Sequence, residues 1–229
     1  MLSEVEITRR LEAVLARISA AAQRAGRDPA TIRLVLASKT QPAAAIRAAY
    51  IAGARDFGEN YVQEALAKRA ELADLGDIRW HLIGHLQSNK AKAAAPAFAM
   101  IHSLDSLRLA QALARARPSP RVRALIEVNL GGEASKSGVA PAQVDALLEA
   151  IRDKIDVAGL MTIPPPASTP ALARPYFVRL RKTRERLAVR SGLRLSELSM
   201  GMTDDFEVAI EEGATIVRVG RAIFGERKS

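Results

Sequence analysis

Cysteine is absent from all 229 residues, which removes disulfide scaffolds, thiolate metal sites and cysteine nucleophiles at once. Aromatic residues are scarce, with one Trp, three Tyr and five Phe. Histidine occurs three times. His81 and His85 stand four apart, but they straddle a strand end and a glycine rather than one helix face, and no HExxH is present, so no metal is expected; His102 reads as a core residue. No long apolar run occurs either. The opening MLSEVEITRRLEAVLARISAAAQRAG mixes Glu and Arg through its apolar positions, so it reads as neither a signal peptide nor a membrane span. A cytoplasmic protein is expected, in a compartment whose reducing conditions fit the lack of cysteine.

With 48% hydrophobic and 26% charged residues, the chain can bury one sizeable core, and a single domain over 1–229 is expected. Thirty-four Lys and Arg against twenty-five Asp and Glu leave a formal charge of +9, which raises the question of nucleic acid. The distribution argues against it. Arginines 108, 115, 117, 121 and 123, then 179, 181, 184 and 186, are spread through helical segments and are not gathered beside aromatics, the pattern of solvated helix faces.

Short apolar or β-branched runs at 32–38, 56–59, 79–84, 99–104, 123–130, 156–163, 197–201 and 215–220 read as eight strands. Segments of helical period fill the gaps at 3–25, 42–52, 61–74, 87–95, 105–116, 141–153, 170–190 and 205–212, with a last short turn at 221–224. Asp204 followed by Glu207 reads as a capping box, Gly53 and Gly213 as helix stops, and Pro141 as a first helical position. Strict strand–helix alternation demands a parallel sheet with right-handed crossovers, and eight such units close most naturally into a single (β/α)8 TIM barrel. An open doubly wound sheet is the alternative, but the first strand ends in Ser38-Lys39-Thr40 and no G-x-G-x-x-G turn follows it. Ile163-Pro164-Pro165-Pro166 is a stiff loop rather than a linker.

Barrel sites form at the C-terminal strand ends. The first strand ends in Lys39, the second runs into Glu59-Asn60, the seventh ends Ser199-Met200-Gly201-Met202 and the eighth Arg218-Val219-Gly220-Arg221. Closure sets strand 8 beside strand 1, so Arg218 and Gly220 are expected near Lys39. Partial burial and a neighbouring arginine favour a free lysine amine, the species that attacks an aldehyde; read alone, Lys39 is more simply a strand-end lysine reaching solvent. Gly201 and Gly220, with the Ser199 hydroxyl, would allow backbone amides to surround a phosphate, although turn glycines are common. Lys136 in Ser135-Lys136-Ser137-Gly138 and the run Gln87-Ser88-Asn89-Lys90 fall on the same rim, as anion contacts or as plain loop and cap residues. Asp204 and Asp205 read as the cap of the following helix.

Seven strings, LVLASKTQP, FGENYVQEA, WHLIGHLQSNK, EASKSG, GLMTIPPP, LSMGMTDDFEVAIEEGAT and VRVGRAIFG, resemble in order and spacing the pyridoxal-phosphate homeostasis protein family (YggS/PROSC type), barrels similar to the N-terminal domain of alanine racemase. The resemblance spans nearly the whole chain. It implies a barrel binding pyridoxal 5'-phosphate (PLP) as a Schiff base on Lys39, with Arg218 facing the pyridine nitrogen. Ser199, Gly201, Met202, Gly220 and Arg221 would surround the phosphate, and Asn60, His81 and Met161 would line the cofactor. An arginine donates to the pyridine nitrogen without protonating it, which makes the ring a weaker electron sink and suits racemase-like proton exchange or mere holding of the cofactor.

Two functions compete. A racemase needs a second acid–base group on the opposite face, which in alanine racemase comes from an added β domain and a partner subunit. The sequence stops at Ser229 just after the barrel, and Tyr50, Tyr61 and Tyr176 fall in helical segments, so no stand-in is evident. The resemblance favours a PLP-holding protein of vitamin B6 homeostasis that buffers the aldehyde and supplies apo-enzymes, working as a monomer without nucleic acid or membrane.

Overall fold

Eight strands of three to six residues pair side by side in parallel and return on themselves, β8 against β1, as a closed barrel in sequence order. They are β1 Arg33–Ala37, β2 Asp56–Glu59, β3 Arg79–Leu82, β4 Met100–Leu104, β5 Arg123–Glu127, β6 Asp156–Met161, β7 Glu197–Ser199 and β8 Ile216–Val219. The computed structural model describes residues 2–133 and 137–226; the readings of Ser135 and Lys136 lie outside them. The barrel thus stands as expected. Several strands are shorter than their apolar runs because the last residues leave the ladder to build the mouth.

The helices are α1 Glu4–Arg24, α2 Ala43–Ile51, α3 Val62–Glu71, α4 Ala91–Ala94, α5 Leu107–Ala116, α6 Val144–Ile151, α7 Arg174–Ser191, α8 Phe206–Glu211 and α9 Arg221–Phe224. The run 87–95 divides into a 3-10 turn at 88–90 and the four-residue α4, with Pro96 close behind to forbid continuation. Pro141 does open a 3-10 turn ahead of α6. Gly53 and Gly213 follow α2 and α8 with φ of +103° and +97°, the left-handed stop expected of them. The capping box does not form. Asp205, not Asp204, is the residue before α8, and its Oδ1 accepts from the Met202 amide at 2.6 Å. Asp204 pairs with Arg221 and Glu207 with Arg17, long-range partners that a local sequence rule cannot see.

Side chains alternate between the barrel interior and the helical ring. At the N-terminal end of the barrel the interior is charged: Arg33, Arg79 and Arg123 interleave with Asp56, Asp156 and Glu197, Arg79 and Asp56 meeting at 2.6 Å. Above this layer pack Val35, Met100, Leu125, Ala158, Met161 and Ile216. Outside the strands, α9 is too short to cover the β8–β1 seam, and α1 fills that place, packing against α2, α8 and α9 through Ile7, Leu11, Val14 and Ile18. Among the described residues no helix is long and apolar enough to cross a membrane.

If α1 is part of the barrel wall, Leu11, only 2% exposed, should behave as a core residue. Leu11→Ala is expected to cost about 3 kcal/mol in denaturant unfolding. A loss under about 1 kcal/mol would mean that α1 is an appendage.

Candidate functional site

At the C-terminal mouth a cavity of about 400 Å3 opens between the ends of β1, β2, β3 and β8 and the loops after β6 and β7, within the range that holds small ligands. Lys39, Asn60, Met202, Arg218, Gly220 and Arg221 line it, six of the ten residues expected at the site. The β1–β8 register, with Val35 opposite Arg218 and Leu36 opposite Val219, is what unites Lys39 with residues far along the chain.

The turn carrying Lys39 is pinned on both sides. The Ser38 hydroxyl donates to Glu59 Oε1 at 2.7 Å, and the Thr40 amide donates to Glu64 Oε1 at 2.6 Å. Lys68 from α3 joins them, its Nζ donating to Glu59, Glu64 and the Ser38 carbonyl at 2.7–2.8 Å. Thr40 sits at φ +65°, a left-handed conformation that costs a non-glycine residue about 1–2 kcal/mol and that the Glu64 bond holds in place. Burial pushes the Glu59 carboxyl above the usual range, against the pull of Lys68 and Ser38.

His81, Met161 and Ser199 do not line the cavity. All three are buried one layer below it, because the next inward position, two residues on, takes the rim: Ile83 after His81 and Ile163 after Met161 are the cavity residues. Ser199 accepts from Arg218 Nη1 at 2.6 Å and bonds His102 Nδ1 at 2.9 Å; His102 Nε2 lies 3.0 Å from His81 Nδ1, and His81 Nε2 lies 2.9 Å from Asp56 Oδ1. His102, read from sequence as inert core, is thus part of a polar chain through the barrel. Gly201 also lies below the surface, its carbonyl accepting from the Arg218 amide. A Cβ at Gly201 would stand 2.5 Å from Ala209 Cβ, and one at Gly220 2.9 Å from the Ala37 carbonyl oxygen. Both glycines are therefore required by packing against the neighbouring element.

Sequence reasoning missed Thr40, Gln41, Ile83, Ile163, Thr203 and Phe224 in the lining; Thr40 and Thr203 adjoin residues already singled out. Gln87, Ser88, Asn89 and Lys90 line neighbouring depressions rather than this cavity. Tyr61 is the exposed N-cap position of α3 at the same rim, not a helical residue, whereas Tyr50 and Tyr176 lie in α2 and α7. His85 faces Asp105 at 3.3 Å, and no cluster of metal-ligating side chains occurs among the described residues.

Arg218 is the cation to explain. It is 4% exposed, its guanidinium donates to the Ser199 hydroxyl and the Thr162 carbonyl, and among the described residues no carboxylate forms an ion pair with it. Burial lowers it to about 10, opposed by the more distant charges of Glu127 and Asp205. Burial, reinforced by Asp105, pushes Glu127 up to about 7, against the attraction of Arg218. A cavity floored by a buried cation and edged by Lys39 and Arg221 suits an anionic ligand with an electron-rich acceptor.

The sequence profile of the alanine racemase N-terminal domain matches residues 10–228. The pyridoxal phosphate homeostasis proteins of Pseudomonas aeruginosa and Aquifex aeolicus are 51% and 49% identical to the chain, each over 96% of its length and over 96% and 97% of their own. The chain belongs to the pyridoxal phosphate homeostasis protein family. A solved member, PipY of Synechococcus elongatus with PLP bound, superposes with a TM-score of 0.84 at 42% identity, over 96% of this chain and all of that one. Alanine racemase of Corynebacterium glutamicum, at 19% identity and a TM-score of 0.67, shares the fold, the chain covering 62% of that larger protein.

Two variants test the electrostatics. Lys68→Met leaves Glu59 buried without its counter-ion and is expected to destabilise the protein by about 3 kcal/mol, read in denaturant melts; a loss within about 0.5 kcal/mol would contradict the clamp. Between pH 4.5 and about 7 the unfolded chain gives up the Glu127 proton while the folded protein keeps it, so this group costs stability as pH rises through that window. Glu127→Gln removes the cost. Measured against the natural protein, it should gain on the order of 1–3 kcal/mol between about pH 5 and pH 8, and a difference independent of pH would overturn the assignment.

Proposed function

We propose that this protein binds PLP at the barrel mouth, covalently through Lys39, and acts in intracellular PLP homeostasis. The observation that carries the reading is the meeting of Lys39, Arg218 and Gly220 on one cavity in a chain so similar to a protein solved with PLP bound. Lys39 is the residue that would hold the cofactor covalently, its amine being the nucleophile an aldehyde requires. Arg218 would take the pyridine nitrogen, while Met202, Gly220 and Arg221 would serve the phosphate and Asn60 would flank the ring; Gly201, expected from sequence among the phosphate residues, lies beneath them. Ser199, His81 and Met161 act from the layer beneath.

When bound, the cofactor supplies a reactive carbonyl and an electron sink, and an arginine at the ring nitrogen keeps that sink weak. Pinning of the Ser38–Thr40 turn holds the lysine at the mouth, so this chain's residues favour holding over turnover. The reading extends to a single-domain, cytoplasmic monomer that supplies PLP to apo-enzymes. Buffering fits a mouth open to solvent, from which the aldehyde can be returned by hydrolysis.

Absorbance and intact mass before and after borohydride decide it. The natural protein is expected to show a visible band with PLP and a borohydride-stable increment of one reduced cofactor, and Lys39→Ala neither. No increment with excess PLP would overturn the reading; steady turnover of D- or L-alanine would replace holding by racemisation.

A further inference from the structure

The polar chain beneath the cavity has a direction that its two ends impose. Arg218 can only donate, and it donates to Ser199 Oγ at 2.6 Å. At the other end Asp56 accepts both forks of Arg79, at 2.8 and 2.6 Å. Burial alone would raise its carboxyl, but the hydrogen bonds from His81 and Arg79 hold it at about 2, so it is a carboxylate and can only accept. Burial also lowers both imidazoles toward the neutral form, at His81 against the hydrogen bond and charge of Asp56, and most strongly at His102, where positive charge on His81, then Arg218 and Arg33, would act in the same direction.

With both rings neutral, one assignment satisfies every contact. His81 Nε2–H donates to Asp56, which leaves His81 Nδ1 bare to accept from His102 Nε2–H. His102 Nδ1 is then bare and accepts the Ser199 hydroxyl, which itself accepts from Arg218. Each donor points from the mouth toward the charged layer at the far end of the barrel. The two rings meet edge to face, centroids 5.2 Å apart and planes at 75°, and Ser199 and His102 are fully buried. Surrounding inward residues such as Val35, Met100, Leu125 and Ile216 are apolar, so a barrel needing only packing had no use for this chain.

We propose that Asp56, His81, His102 and Ser199 are positioning residues forming a one-way hydrogen-bond relay that fixes the Arg218 guanidinium at the cavity floor and couples its charge to a remote carboxylate. The relay rests on the PLP reading for its purpose, not for its existence. Arg218 Nη2 is held by the Thr162 carbonyl at 3.1 Å, so the relay and that bond together fix the guanidinium that borders the cavity, and the relay is anchored at the opposite end of the barrel.

Two measurements test it. In 15N-histidine spectra of the natural protein, with or without PLP, His81 and His102 should both appear as neutral rings protonated on Nε2. A charged His81, or a proton on Nδ1 of either ring, would overturn the relay whether or not PLP binds. His102→Phe keeps an aromatic filler and cuts the relay; PLP affinity should fall about fivefold or more, the weight of one hydrogen bond, with a shifted absorbance maximum and the Lys39 mass increment retained. Ser199→Ala should repeat the loss and Ser199→Thr, which keeps the hydroxyl, should restore binding. Natural affinity and spectrum in His102→Phe would sink the positioning role. Absence of any Lys39 increment in the natural protein would instead remove the PLP reading and leave the spectral test of the relay standing.

Discussion

Closure of the sheet through β1 and β8 is the contact on which everything at the mouth depends. Its register places Arg218 against Val35 and lets the Gly220 backbone lie flush on Ala37, and only then do Lys39, Gly220 and Arg221 border one cavity. Neither strand could supply the site alone. Outside the seam α9 is a single turn, and α1 covers it by packing against α2, α8 and α9.

The architecture was legible in the sequence because strand–helix alternation is a local, periodic signal, and all eight strands lie where the apolar runs stand. The depth of a side chain within the barrel was not. His81, Met161 and Ser199 are inward-facing as a strand-end reading implies, yet each sits one layer too deep, because depth depends on the stagger between strands, which period alone does not reveal. His102 was read as inert for a related reason: nothing local marks a histidine whose partners are 21 and 97 residues away. The capping box failed similarly, its carboxylates being taken by Arg17 and Arg221 from distant helices.

The surplus of arginine does two jobs. On the outer ring it ties neighbouring helices together, Arg186 and Arg190 of α7 sharing Asp145 of α6, and Arg174 bridging to Glu211 and Glu212 around the end of α8. Such exposed pairs contribute little each. Inside the barrel the same residue type is used differently, interleaved with carboxylates at one end and buried without one at the other, so chemistry follows burial rather than count.

The pairing of α1 with α8 and of β1 with β8 joins segments roughly 180 residues apart in sequence. Contacts of that span are the last to form and slow folding. On the ribosome, therefore, the cavity cannot exist until β8 and α9 have emerged; a growing chain bears Lys39 from early in its synthesis but lacks the floor and far wall that make it a site. Ligand capture is in this way tied to the synthesis of β8 and α9, and any ligand held between the ends of β1 and β8 adds to the pairing that closes the cylinder.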